Sequence, residues 1–161
     1  MKLNESFTYD GKSVEDVYAN VSSEAFRSES CVKQRSAEYS VTVEENAIGG
    51  HLVTIVRATP ADMPDFIKKF TGDTVKVKQT ENWSGPAADG SRKADIKVRI
   101  IGQPAEFNGT STLVTSGSDT NLVLAGDVKV SVPFIGKKIE PEIGKAILAS
   151  LRYEVALAME K

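Results

Sequence analysis

The sequence predicts an α+β domain in which a curved, seven-stranded antiparallel sheet wraps one long C-terminal helix, with two short helices after the first strand. Three observations carry this. Seven segments alternate apolar and polar residues, as strands with one dry and one wet face do, and that pattern belongs to antiparallel sheets. Residues 138–160 repeat apolar residues at helical spacing; at ~1.5 Å per residue such a helix spans roughly 33 Å and needs a large apolar surface to lie on. Finally, 161 residues with no repeat, linker or low-complexity stretch suit one domain, 1–161.

The first strand, residues 2–9, puts Leu3, Phe7 and Tyr9 on one face and ends at Asp10-Gly11. Ser13 then precedes Val14, Val17, Tyr18 and Val21 at helical spacing, with Asp16 placed to complete a capping box. Ser23 caps a second short helix running towards Cys31. Tyr39, Val41 and Val43 mark the second strand, and 46–50 is turn chemistry. The third strand, 51–58, is ambiguous in parity: either Leu52, Thr54 and Val56 or Val53, Ile55 and Arg57 face inward.

Between two prolines and Gly72, the residues Met63, Phe66, Ile67 and Phe70 recur as a small amphipathic helix. Val75, Val77 and Trp83 face inward on strand four; Ala94, Ile96, Val98 and Ile100 do so on strand five. Strand six offers Ala105, Phe107, Gly109, Ser111 and Leu113, and strand seven Leu122, Leu124, Gly126, Val128, Val130 and Val132. In the last helix, Ile139, Ile143, Ile147, Leu151, Val155 and Ala158 form the apolar stripe.

Composition narrows the function. One Cys and one His cannot supply a four-ligand zinc site, and no metal or cofactor motif is present, so neither is expected. The N-terminus lacks the apolar run of a secretory signal, no stretch is long and apolar enough to span a bilayer, and a lone thiol suits a reducing compartment. A cytoplasmic protein is expected. The net charge is −2, unevenly spread: residues 1–50 hold 5 basic and 9 acidic groups, 51–102 hold 9 and 6, and 103–161 hold 6 and 7. The mildly basic middle is too weak a footprint for a nucleic-acid domain, and its strands carry no outward aromatics for base stacking. Lys76, Lys78, Lys93, Lys97 and Arg99 should all point outward; interrupted by Asp95, they read first as a solvated face and second as a contact for acidic headgroups or a protein partner.

Polar residues on apolar faces are the candidates for chemistry. Glu5 shares a parity with Leu3 and Phe7; Gln79 and Glu81 share one with Val77 and Trp83. An unpaired carboxylate in such a place has a raised pKa and can serve as a general acid or base. The plainer reading is that these carboxylates reach water at sheet ends or pair with a Lys or Arg. His51 has no nucleophile motif and reads as a surface residue, and Cys31 as a packed thiol.

The order β-αα-β6-α resembles the START-like, or Bet v 1-like (SRPBCC), helix-grip superfamily. The stretches Pro60-Ala61-Asp62-Met63-Pro64, Gly72-Asp73, Gln79-Thr80-Glu81-x-Trp83, Gly126-Asp127-Val128-Lys129-Val130-Ser131-Val132-Pro133 and Gly136-x-Lys138-Ile139-Glu140 resemble a bacterial subfamily of it, a domain of unknown function. They carry no established chemistry. The resemblance implies a cavity between sheet and long helix, binding a lipid, sterol-like or polyketide-like molecule. Its expected lining is Val77, Gln79, Trp83, Ile96, Val98, Phe107, Gly109, Leu124, Gly126, Ile143, Ile147 and Leu151, with small inward residues either leaving room for a ligand or marking bends of the sheet. Met63, Phe66, Ile67 and Phe70 then form an expected lid. A carrier or sensor of a hydrophobic small molecule, with transient membrane contact, is the expected function. The alternative is a cyclase- or hydrolase-type enzyme with Glu5, Glu81 or Tyr153 as acid or base, and a third reading is a protein-interaction module acting through the basic face.

Overall fold

In the computed structural model, which describes residues 1–161, the chain runs β1 (Lys2–Tyr9), α1 (Val14–Val21), α2 (Glu24–Lys33), β2 (Glu38–Glu45), β3 (His51–Pro60), α3 (Asp65–Thr71), β4 (Thr74–Trp83), β5 (Arg92–Ile100), β6 (Ala105–Ser116), β7 (Asp119–Val130) and α4 (Gly136–Met159). The strands form one antiparallel sheet in the order β1-β7-β6-β5-β4-β3-β2. The predicted element order and the helix-grip arrangement are what the chain adopts.

Local chemistry explains the helix starts. The Ser13 hydroxyl accepts from the Asp16 amide, and the Asp16 carboxylate accepts from the Ser13 amide, so Asp completes the capping box in place of Glu. Ser23 accepts from the Phe26 amide and starts α2. The third strand resolves its parity by burial: Val53 and Ile55 are core residues, so Arg57 and Thr59 also face inward. α3 begins only at Asp65, because Pro64 is its cap; Met63 therefore lies in the preceding loop rather than on the helix.

The core lies between the inner sheet face and α4. At both ends of α4 the stripe is packed: Ile139 and Ile143 near its start, Val155, Leu157 and Ala158 near its finish. Near the start Glu140 accepts the Val130 amide at 3.0 Å, tying the helix to the end of β7. That hydrogen bond holds the Glu140 carboxyl below its ordinary range. No helix is long and apolar enough to cross a membrane. On the outer face the row Lys78, Arg99, Glu106, Lys129 runs across β4 to β7: Lys78 and Arg99 are like-charged neighbours, while Glu106 stands between Arg99 and Lys129. The acid between two bases offsets part of their repulsion, as on a solvated face.

Candidate functional site

α4 lies along β7 and β1 while α2 closes on β2, so the helices stand off from the middle strands β3–β5. The result is a chamber of about 570 Å³, within the size range of small-molecule sites. Its floor is the inward side of β3–β7, its roof one face of α4, and one end is closed by Val21 and Arg27 from α1 and α2. The middle of α4 shows the gap directly. Ile147 and Leu151 face the sheet yet are only half-buried, as are Val77, Gln79 and Val98 opposite them. Apolar side chains that point inward without being covered mark a space the protein does not fill.

Of the expected lining, Val77, Gln79, Trp83, Ile96, Val98, Phe107, Leu124, Ile143, Ile147 and Leu151 all border this space. Gly109 and Gly126 do not. They stand opposite each other on β6 and β7, and the Phe107 ring lies over both. A Cβ on either would come within 2.8 Å of that ring and collide with backbone of the neighbouring strand. These glycines make room for Phe107 and for close strand approach, not for a ligand. Ala94 and Ala105 are likewise buried in the core away from the chamber. In the expected lid only Met63 borders the chamber; Ile67 is fully buried in the core, Phe70 is half-buried and Phe66 is exposed.

The three expected acid/base residues part company. Glu5 is exposed on β1 and has no place in the chamber. Tyr153 borders the chamber from α4 but is 41% exposed. Glu81 is inside and buried, and it is not an unpaired acid. Its carboxylate accepts from Arg27 through two nitrogens (Nη1 at 3.1 Å, and Nη2), from Trp83 Nε1 at 3.0 Å and from Gln79 Nε2. Burial alone would raise the Glu81 carboxyl, but the charge of Arg27 and these hydrogen bonds outweigh it and hold it below its ordinary range. The expectation of a raised, proton-transferring Glu81 is thus corrected: the carboxylate stays ionised, in the pairing that was the plainer reading.

This explains the Gln79-x-Glu81-x-Trp83 stretch. On a strand, alternate residues share a face, so the two flanking side chains can donate to the carboxylate between them. Arg27 completes the cluster. It donates to the Val21 carbonyl at 3.0 Å, and its Nε lies 3.2 Å from Glu154 Oε1. That N–H is not aligned on the carboxylate, which makes the contact one of charge rather than a hydrogen bond. Ser30 Oγ donates to Glu154 at 3.1 Å. The carboxylates of Glu154 and Glu81 outweigh the effect of burial on Arg27 and hold it firmly protonated, while burial, followed by Glu154, pushes the Tyr9 phenol up.

Sequence reasoning missed Arg27, Glu154 and Arg57. A carboxylate on an inner strand face calls for a cation, which was a signal for Arg27 or its equivalent; the position of that cation on α2 could not be read. His51 is half-buried, its Nδ1 2.7 Å from the Tyr18 hydroxyl, away from the chamber. Cys31 is packed, and burial pushes its thiol up against the opposing effect of nearby Arg57.

Comparison with known proteins places this geometry. The family model described as a protein of unknown function, DUF2505, matches residues 5–160. An uncharacterised protein of Mycobacterium tuberculosis H37Rv is 29% identical over 152 residues, covering 86% of this chain and 83% of the relative. Among solved structures, the ZhuI aromatase/cyclase of Streptomyces sp. R1128 superposes with a TM-score of 0.63 at 8% identity, covering 99% of this chain and 92% of that one. Norcoclaurine synthase of Thalictrum flavum, in complex with dopamine and hydroxybenzaldehyde, gives 0.56 at 14% identity, covering 99% and 87%. At these identities the likeness is one of fold: the helix-grip fold of the START-like, Bet v 1-like proteins.

Proposed function

The chain belongs to the DUF2505 family of proteins of unknown function, and on that footing we propose that it binds a hydrophobic small molecule in the chamber beneath α4. The observation that carries this is the uncovered middle of the apolar stripe. Ile147 and Leu151 oppose Val77 and Val98 across space, while the two ends of the same stripe are packed. Leaving apolar surface unpacked forgoes about 25 cal/mol for each Å², a loss that a bound apolar molecule recovers.

Binding is favoured over acid–base catalysis by the state of the carboxylates. Glu81 and Glu154 are both engaged with Arg27, and Glu81 is held ionised. The loop carrying Met63, with α3 behind it, serves as the movable part of the mouth. Delivery at a lipid surface fits a second feature. Phe134 is 99% exposed in a left-handed backbone conformation, with Ile135 beside it and Lys137 and Lys138 following. The β5–β6 turn, with exposed Ile101, is tied to this segment by the Ser131 amide on the Pro104 carbonyl, and to α3 by Gln103 on the Phe70 carbonyl. An apolar tip with adjacent lysines suits transient contact with an anionic membrane.

Titration with N-phenyl-1-naphthylamine, a dye that fluoresces in apolar sites, tests the reading, alongside native mass spectrometry of the gently purified protein. Saturable dye binding that an apolar competitor displaces is expected. The absence of both a co-purifying molecule and dye binding would overturn it.

A further inference from the structure

We propose that the molecule held in the chamber is an amphiphile with a single anionic head, and that Arg57, with Arg35 and Lys33 beside the mouth, receives that head. The proposal rests on the reading of the chamber as a hydrophobic-ligand site.

Arg57 follows Val53 and Ile55 on the inward face of β3, where it interrupts an apolar row and borders the chamber. Its one hydrogen bond runs from Nη2 to Ser150 Oγ on α4, at 2.9 Å, and it forms no ion pair. The acid on the same face of α4 is Glu154, one turn beyond Ser150, and that carboxylate is engaged with Arg27 and Ser30. The other polar neighbour of Arg57 is the buried Cys31 thiol, a weak acceptor, so no carboxylate occupies the guanidinium where it borders the chamber. A planar fork of this kind matches a carboxylate or phosphate bidentately.

Arg35 supports the same conclusion independently. α2 ends in a Schellman motif: the Arg35 amide donates to the Val32 carbonyl and the Ser36 amide to the Cys31 carbonyl, both at 3.0 Å. The residue in the left-handed position of this motif is Arg35, at φ 61°. Glycine is the usual occupant, because a side chain disfavours that conformation. A long cation stands where the backbone alone would select glycine. The turn is pinned beside Arg57 by the Ala37 amide on the Ala58 carbonyl, 2.9 Å.

Lys33, the last residue of α2, also borders the chamber, its only carboxylate partner being Glu29 at 3.7 Å. Against these three cations the rim carries one further acid, Asp62 in the loop after β3. Beyond the cations lie the uncovered apolar residues Val77, Val98, Ile147 and Leu151. The chamber thus has a cationic mouth and an apolar interior, the polarity of an amphiphilic anion.

Isothermal titration of the full chain with laurate, dodecyl phosphate, dodecanol and dodecylamine, with inorganic phosphate as the free anion, tests this. The two amphiphilic anions should bind about tenfold or more tighter than dodecanol, as one charge-assisted contact provides. Arg57→Gln should bring laurate and dodecanol to about the same affinity while leaving dodecanol where it was. Arg35→Gly should weaken laurate without lowering the melting temperature, since glycine suits that backbone; this variant cannot be dismissed as misfolded. Dodecanol or dodecylamine binding as tightly as laurate would overturn the anionic head and leave the chamber reading standing. Laurate selectivity surviving in both variants would overturn the assignment to these residues. Inorganic phosphate binding as tightly as dodecyl phosphate would make this a free-anion site and overturn the amphiphile. If none of the dodecyl compounds binds, the chamber reading itself fails, and this inference with it.

Discussion

Arg27 and Arg57 both border one chamber, yet their surroundings differ in kind. Arg27, at the closed end, is buried and met by two carboxylates, a carbonyl and a ring of hydrogen-bonded neighbours. Arg57, on β3, donates to one hydroxyl, lies near the Cys31 thiol and has no carboxylate partner. A buried charge is tolerable only when it is paired, so the first arrangement is structural and complete. The second leaves donors unused at the edge of an apolar space. A perturbed or buried charge thus says little about function until its partners are counted, and here the plainer of the two arginines is the one available to a ligand.

The contrast can be broken most forcefully at Arg27. Arg27→Ala would leave Glu81 and Glu154 buried without their cation and should cost about 3–5 kcal/mol in chemical unfolding. Arg57→Gln should change stability by less than about 1 kcal/mol. Equal losses at the two sites would erase the distinction. A smaller effect separates packing glycines from chamber lining. Gly126→Ala drives a Cβ into the Asn108 carbonyl and the Phe107 ring, and overpacking of this sort costs about 1–3 kcal/mol; a neutral result would mean that the space above Gly126 is open after all.

The pH dependence follows from Glu81. Its carboxyl is held below its ordinary range in the folded protein, so it contributes stability that is present above the ordinary carboxylate range and is lost as pH falls through the folded value. Glu81→Gln should therefore lose stability at neutral pH and show a shallower decline on acidification; an unchanged slope would contradict the pairing. The smallest effect on folding is expected at Phe134. Phe134→Asp should leave unfolding within about 0.5 kcal/mol and reduce binding to phosphatidylserine vesicles in flotation, whereas undiminished binding would remove this loop from any membrane contact.

Most of the fold was legible because it is written in short-range periodicity. Alternation placed the strands, and the Ser13–Asp16 and Ser23 signals placed α1 and α2. What was not legible depends on long-range geometry. The parity of β3 could not be decided because Val53, Ile55 and Arg57 alternate with equally plausible Leu52, Thr54 and Val56, and that ambiguity hid Arg57. Gly109 and Gly126 looked like room for a ligand because a sequence does not show that Phe107 folds over both. Glu81 was correctly set on an inner face, but its meaning lay in Arg27, 54 residues away. Glu5 shared the parity of core residues yet lies exposed on an edge strand.

The central claim is that the space between the middle of α4 and the centre of the sheet is open and takes a ligand. Val98→Phe tests it directly, by measuring unfolding free energy and dye affinity on the same variant. An open chamber accepts the larger ring: stability should stay within about 1 kcal/mol of the parent or rise, and N-phenyl-1-naphthylamine binding should weaken about tenfold or more as the space fills. A destabilisation of about 1–3 kcal/mol, the mark of an overpacked core, together with unchanged dye affinity would contradict the account.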